Sequence, residues 1–220
     1  MKRKFAFAIA LCLAAYYPSQ VSASTFDFTF GGGGVSGSIE LTYGTATDGK
    51  YSQAFEVTGI SGTFSDANIG ISNASILGLL AVNHAMPEAS NLLAPDDFSR
   101  FAVATGLPAQ SNGYLTYDNL YYPGGSPATA SDYPAAGGFL DIYGLMFRIG
   151  NGRVVDFWSN GIFGPPGSAP IEYGAAVATV DSALDYVPAG ISALPEPETN
   201  ALMVGGLALL GLAYRRRARR

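Results

Sequence analysis

The residues able to do chemistry are few and scattered. His84 is the one histidine, and Glu88 stands four positions on, a spacing at which a helix would present both on one face. Pro87 interrupts that spacing and no second histidine exists, so His84 reads as a loop residue. With Cys12 as the one cysteine, neither a disulfide framework nor a zinc site of clustered Cys and His can be built. Asp66, Asn68 and Gly70 echo the start of a calcium loop but lack its later acidic ligand, which leaves a turn. Asp96 and Asp97 suit a helix cap better than a cation. Gly32, Gly34 and Gly37 satisfy G-x-G-x-x-G, yet the strand-like Ser38 to Tyr43 follows where a phosphate-binding helix is needed. Carboxylate pairs for glycoside hydrolysis are available in number, but nothing raises one pair above another. The chain is therefore expected to have no catalytic residue, no metal and no cofactor, and to be no enzyme. One binding feature stands out, the tyrosines Tyr114, Tyr117, Tyr121 and Tyr122 with Asp118 and Asn119 among them. Their rings would stack on sugars while the acid and amide bind hydroxyls; the alternative is that they pack over a sheet edge with wet hydroxyls. Trp158 reads as core or rim.

Such residues need a scaffold, and the 220-residue composition limits what it can be. Only 13% of residues are charged, 48% are hydrophobic, and there are 28 Gly and 13 Pro. That is too apolar for disorder and too rich in turn formers for a helical bundle. Between Ser24 and Leu194 lie 15 of the 17 acids and only Lys50, Arg100, Arg148 and Arg153, a formal charge of −11. Such a body repels phosphate backbones, which excludes nucleic acid as a partner.

The remaining charges mark the two ends. Lys2, Arg3 and Lys4 precede an apolar run from Phe5 to Ala15, and a more polar stretch ends in Val21, Ser22, Ala23. This is the pattern of a secretory signal peptide over residues 1–23, cut between Ala23 and Ser24 by signal peptidase after passage through the Sec machinery. Leu11 stands where a lipoprotein needs a small residue before its modified Cys, so Cys12 leaves with the signal. At the other end, residues 201–214 carry no charge and are followed by Arg215, Arg216, Arg217, Arg219 and Arg220. As a helix this run spans roughly 21 Å against a hydrocarbon core of about 30 Å, short unless the arginine stems snorkel. Basic clusters stay on the cytoplasmic side, so a single transmembrane helix here would hold the body outside the inner membrane. Pro195, Glu196 and Pro197 precede it. Two prolines flanking an acid are expected to keep the segment extended, out of both sheet and helix, and open to a processing enzyme.

Pro-Glu-Pro, a short apolar run and a terminal Arg cluster, in that order, resemble the PEP-CTERM sorting segment, which is also classed as an ice-binding-protein C-terminal domain. The resemblance covers Leu194 to Arg220, a sorting segment at 195–220 included, and implies an exosortase as partner, a transient stay in the inner membrane and release to the cell surface or extracellular space. It implies Gram-negative bacteria that make exopolysaccharide, and no activity.

The body, residues 24–194, alternates as strands do. Phe26, Phe28 and Phe30 fall on one face of Thr25 to Phe30. Val35, Ile39, Leu41 and Tyr43 are in phase, with Gly37 as a gap. Further strands are expected at 54–60, 62–66 and 68–72, a short one near 113–120, and a last long one at 171–186. Residues 83–134, broken by prolines, read as surface connections, with a helical turn or two at 90–101. Gly150, Asn151 and Gly152 join 144–149 to 153–158; a three-residue loop pairs Ile149 with Arg153, Phe147 with Val155 and Leu145 with Phe157, making one face nearly all apolar. Met146, Arg148, Val154 and Asp156 then share a wetter face with an Arg148–Asp156 surface ion pair. Short, punctuated segments of this kind suggest an all-β antiparallel sandwich of jelly-roll type. The body resembles short PEP-CTERM proteins at 57–64, at Asp118-Asn119-Leu120-Tyr121-Tyr122-Pro123 and at 144–161, with a longer stretch at 81–113. The expected function is that of a non-catalytic structural protein of the envelope or extracellular matrix. The alternative is an exopolysaccharide-binding module, and an exported hydrolase comes third.

Overall fold

The computed structural model describes residues 23–49, 51–82, 102–103, 115–128, 135–162 and 170–196. The expected calls on Tyr114, His84, Asp96, Asp97, the signal peptide up to Ser22, Pro197, the 201–214 run and the arginines after it lie outside them.

The strands are β1 (Ser24–Gly32), β2 (Val35–Thr47), β3 (Phe55–Asp66), β4 (Ile71–Leu79), β5 (Ala102–Val103), β6 (Thr116–Tyr117), β7 (Leu120–Tyr121), β8 (Leu145–Ile149), β9 (Arg153–Gly161), β10 (Glu172–Ala178) and β11 (Ala183–Pro195). The eight longer ones each pair antiparallel with the next in the chain, and β11 returns to pair with β1. The body is thus a closed up-and-down barrel, and the expected sandwich is corrected. Alternation reads the same in both folds; closure depends on one long strand reaching two partners. β11 does this, pairing Tyr173↔Ile191 to Ala178↔Ala183 on one side and Phe28↔Pro195 to Gly31↔Ser192 on the other. No edge is left on the ring.

Glycine misled the strand count in one place. The segments expected at 54–60 and 62–66 are one strand that runs on through Gly62 (φ 130°), where a Cβ would run into the Ser38 carbonyl. Glycine there permits close backbone approach and makes no turn. Gly37 behaves alike, since it faces Phe30 across the β1–β2 ladder and the Phe30 ring occupies the space a side chain would need. The strand expected at 68–72 begins only at Ile71, because Ala67–Ile69 form a 3-10 turn capped by Asp66 and closed by Gly70 at φ 69°. The last strand is two. Thr179 to Ser182 turn the chain without Gly or Pro, the Ser182 amide donating to Thr179 Oγ1 at 3.2 Å. β11 then runs on past Pro188 through an irregular register.

The β8–β9 hairpin is as expected, with Ile149↔Arg153, Phe147↔Val155 and Leu145↔Phe157 in register around Asn151 (φ 64°) and Gly152 (φ 68°). Those apolar residues point inward with Phe28, Phe30, Phe64 and Tyr173. Phe157 lies parallel to Tyr173 at 5.6 Å and contacts Phe30 at 4.8 Å, and Phe139 closes on Tyr173 at 4.9 Å. These rings fill the interior, where burial of each contributes about 1.5–3 kcal/mol.

Of the face expected to be wetter, only Arg148 is exposed. Met146, Val154, Asp156, Trp158 and Ala176 lie on the outside of β8–β10, buried beneath Leu115, Tyr117, Ile142 and Tyr186. Period-two reasoning assigns faces but cannot see what a distant segment lays over them. The expected Arg148–Asp156 surface pair is not formed: Asp156 is 3% exposed, faces Met146 across the ladder, and its Oδ1 has no hydrogen-bond partner. Burial holds its pKa well above the carboxylate range, the Phe157 amide pulling the other way.

Candidate functional site

The sequence places its most specific motif where the barrel ends. Proline has no N–H, so it was expected to stay out of the sheet. Pro195 is nevertheless the last residue of β11, opposite Phe28. The reason lies in the ladder. The Glu196 amide donates to the Asp27 carbonyl at 2.9 Å, the flanking bond of a non-hydrogen-bonded pair. The Pro195 nitrogen therefore faces away from β1. On that side β10 ends its pairing at Ile191, so no acceptor is left waiting. Leu194, opposite Thr29, is 67% exposed beside a surface groove of about 370 Å³ lined by Tyr122, Phe139, Pro170 and Ile171.

At the same end of the barrel, β1 begins. Ser24 pairs with Tyr43, and Ala23, the residue before the expected signal cut, is exposed. The first and last strands are neighbours, so the chain enters and leaves the barrel within a few residues of one ladder.

Residues 193–217 match the family model of the PEP-CTERM protein-sorting motif. The tail is a PEP-CTERM sorting motif. It implies processing by an exosortase, and proteins that carry it are exported and anchored at the cell surface through that enzyme. No curated protein and no solved structure matches the chain. Among the described residues no helix is long and apolar enough to cross a membrane.

Away from the PEP-CTERM motif, the tyrosines do not form a sugar platform. Tyr117, Tyr121 and Tyr122 are all buried. Tyr121 packs between Phe26 at 4.6 Å and Tyr43 at 4.9 Å. The hydroxyls are not wet either: Tyr117 donates to the Ala81 carbonyl at 2.8 Å and Tyr122 to Asp141 Oδ2 at 3.2 Å. Burial raises the Tyr117 pKa, with Arg148 opposing and Asp156 adding to it.

Their segment mends the wall. β4 pairs with β3 only over its first residues and then crosses to β8, opening a split below. β7 fills it, with Phe55↔Tyr121 and Glu56↔Leu120. Asn119, held at φ 53°, spans the rest: its Nδ2 donates to the Leu80 carbonyl at 2.7 Å and its Oδ1 accepts from the Met146 amide at 2.9 Å. Asp118 Oδ1 accepts from the Leu120 amide at 3.1 Å. Both residues expected to hold sugar hydroxyls are therefore structural. A groove of about 430 Å³ remains along the split, where Asp48, Glu56, Thr58 and Asp118 meet Leu79 to Val82.

Asp66, another buried acid, was read correctly as a turn residue, but its neighbour was missed. Asp66 Oδ1 accepts from the Asn68 amide at 3.0 Å, and Asn68 Nδ2 donates to Asp185 Oδ2 at 2.9 Å and to the Gly33 carbonyl at 3.0 Å. Burial, then the Asp185 charge and a hydrogen bond with it, push Asp66 up to about 6, while the Asn68 and Ile69 amides pull it down. Ionised, its Oδ2 has no donor to accept from; protonated, it has a bond to give Asp185. These acids are 119 positions apart, a pairing that only ring closure creates. Among the described residues no group of three or more metal-ligating side chains forms.

Proposed function

We propose that the mature chain is a non-catalytic structural component of the cell envelope or extracellular matrix, exported through its signal peptide and handed on by an exosortase. The observation that carries this reading is the sorting motif fused, without a spacer, to a barrel packed with aromatic rings. A filled interior suits a durable surface module better than a carrier of small ligands. The motif supplies the address, and the barrel would supply stability outside the cell. Expression with and without an exosortase tests the reading. With the enzyme, the body should leave the inner-membrane fraction and appear in surface or matrix fractions; equal retention in both strains overturns it.

Glycan binding is the second reading, now resting on the groove at the β3–β4 split, where Asp48, Glu56 and Thr58 offer acceptors to hydroxyls. Retention of the mature protein on exopolysaccharide, abolished by Glu56→Gln, would favour it; absence of retention removes it.

A further inference from the structure

We propose that Asp66 and Asp185, with Asn68 and the Gly33 carbonyl, form a calcium site that ties the end of β3 to β11, at the end of the barrel away from Ser24 and Glu196. The sequence has the start of a calcium loop in Asp66, Asn68 and Gly70 but no acid at the later ligand position. Ring closure brings that acid from β11. Three pieces of chain meet here: the β1–β2 turn at Gly33, the 3-10 turn after β3, and the start of β11. Asn68 links them, its Nδ2 donating to the Gly33 carbonyl at 3.0 Å and to Asp185 Oδ2 at 2.9 Å. Gly34 makes room for this, because a Cβ there would strike the Asn68 amide.

The group that points to a ligand is the Asp66 carboxylate. The residue has no exposed surface, and its Oδ1 accepts from the Asn68 amide at 3.0 Å. Its Oδ2 is buried beside Asp185 with no donor to accept from. Asp185 is the charged group that faces it; the turns at Gly33–Gly34 and Ala67–Ile69 bring none. Two carboxylates side by side repel unless a proton or a cation lies between them. Below about pH 6 the proton serves. Above it a divalent cation would take the same place and cancel both charges. Asp66, Asp185 and the Gly33 carbonyl offer oxygen alone, and Asn68 adds Oδ1 once its amide turns over. Calcium accepts about six to eight oxygens in irregular geometry, whereas magnesium demands a near-ideal octahedron. Asn68 and Gly33 are exposed and Asp185 is half-buried, so water can complete the shell. With two carboxylates, the dissociation constant should fall at about 10⁻⁴–10⁻³ M, the range of extracellular modules.

Thermal melts of the mature protein in calcium chloride or in a chelator test this. Calcium should raise the melting temperature by several degrees near pH 7.5 and leave it unchanged near pH 4.5, where the proton holds the place. Calorimetric titration with calcium should release about half a proton per ion at pH 6 and almost none at pH 8. Asp185→Asn, at a half-buried position, should weaken binding at least about tenfold. A mature protein whose melting near pH 7.5 is indifferent to calcium overturns the site, whether or not the variant folds. An equal calcium shift in Asp185→Asn, or the same shift near pH 4.5, also overturns it, because the cation then binds elsewhere.

Discussion

Two stretches of the barrel wall are built from strands of the same kind and live in different solvents. In β2 and β3 burial alternates, with Ile39 and Leu41 inside and Glu40 outside in water. In β9 and β10 almost every residue is buried, because Leu115, Tyr117 and their neighbours cover the outer surface. The first wall separates a core from water; the second separates two cores. The difference teaches that alternation in a sequence reports one-sided burial, and that a continuous apolar run such as Tyr173 to Ala178 reports a wall covered on both sides.

The contrast can be broken by substitution. The largest effect is expected from Phe157→Ala, which empties the ring stack shared by the whole barrel. It should lower unfolding free energy by about 3–5 kcal/mol in urea titration. Met146→Ala, on the outer face of the doubly covered wall, should cost roughly 2–4 kcal/mol, whereas Glu40→Ala, on the outer face of the other wall, should stay within about 0.5 kcal/mol. Equal effects for those two would erase the distinction between the walls. A smaller effect than that of Met146→Ala is one of pH. The folded protein holds the Asp66 proton up to about pH 6, while the unfolded chain releases it near 3.8. Stability should therefore fall as pH rises through that window, by on the order of 2 kcal/mol. Thermal melts of Asp66→Asn between pH 4 and 7 should lack that fall.

Much of this was legible residue by residue. The inward Phe28 and Phe30, the phase of Val35 to Tyr43 and the register of the β8–β9 hairpin follow from period-two patterning and the Gly-Asn-Gly loop, all local signals. The turn at 179–182 escaped because Thr179 and Ser182 make it with a hydroxyl, where Gly or Pro would have announced it. Pro195 misled because its tolerance in a strand depends on which way its nitrogen faces, a property of the register. The tyrosines were misplaced for a similar reason: the split they fill exists only once β4 has left β3 for β8. The tail was the clearest of all, since an address must be read by another protein and so is written in contiguous residues.

The seam between β1 and β11 joins strands from opposite extremes of the body, so no hairpin loop assists its closure. During export the first strand emerges early and must wait, its edge open, until nearly all the rest has followed. The residues that complete the ring and those that address the protein then arrive almost together. A chain truncated before Ser192 would lack both, so incomplete copies would be left without the means to be passed on.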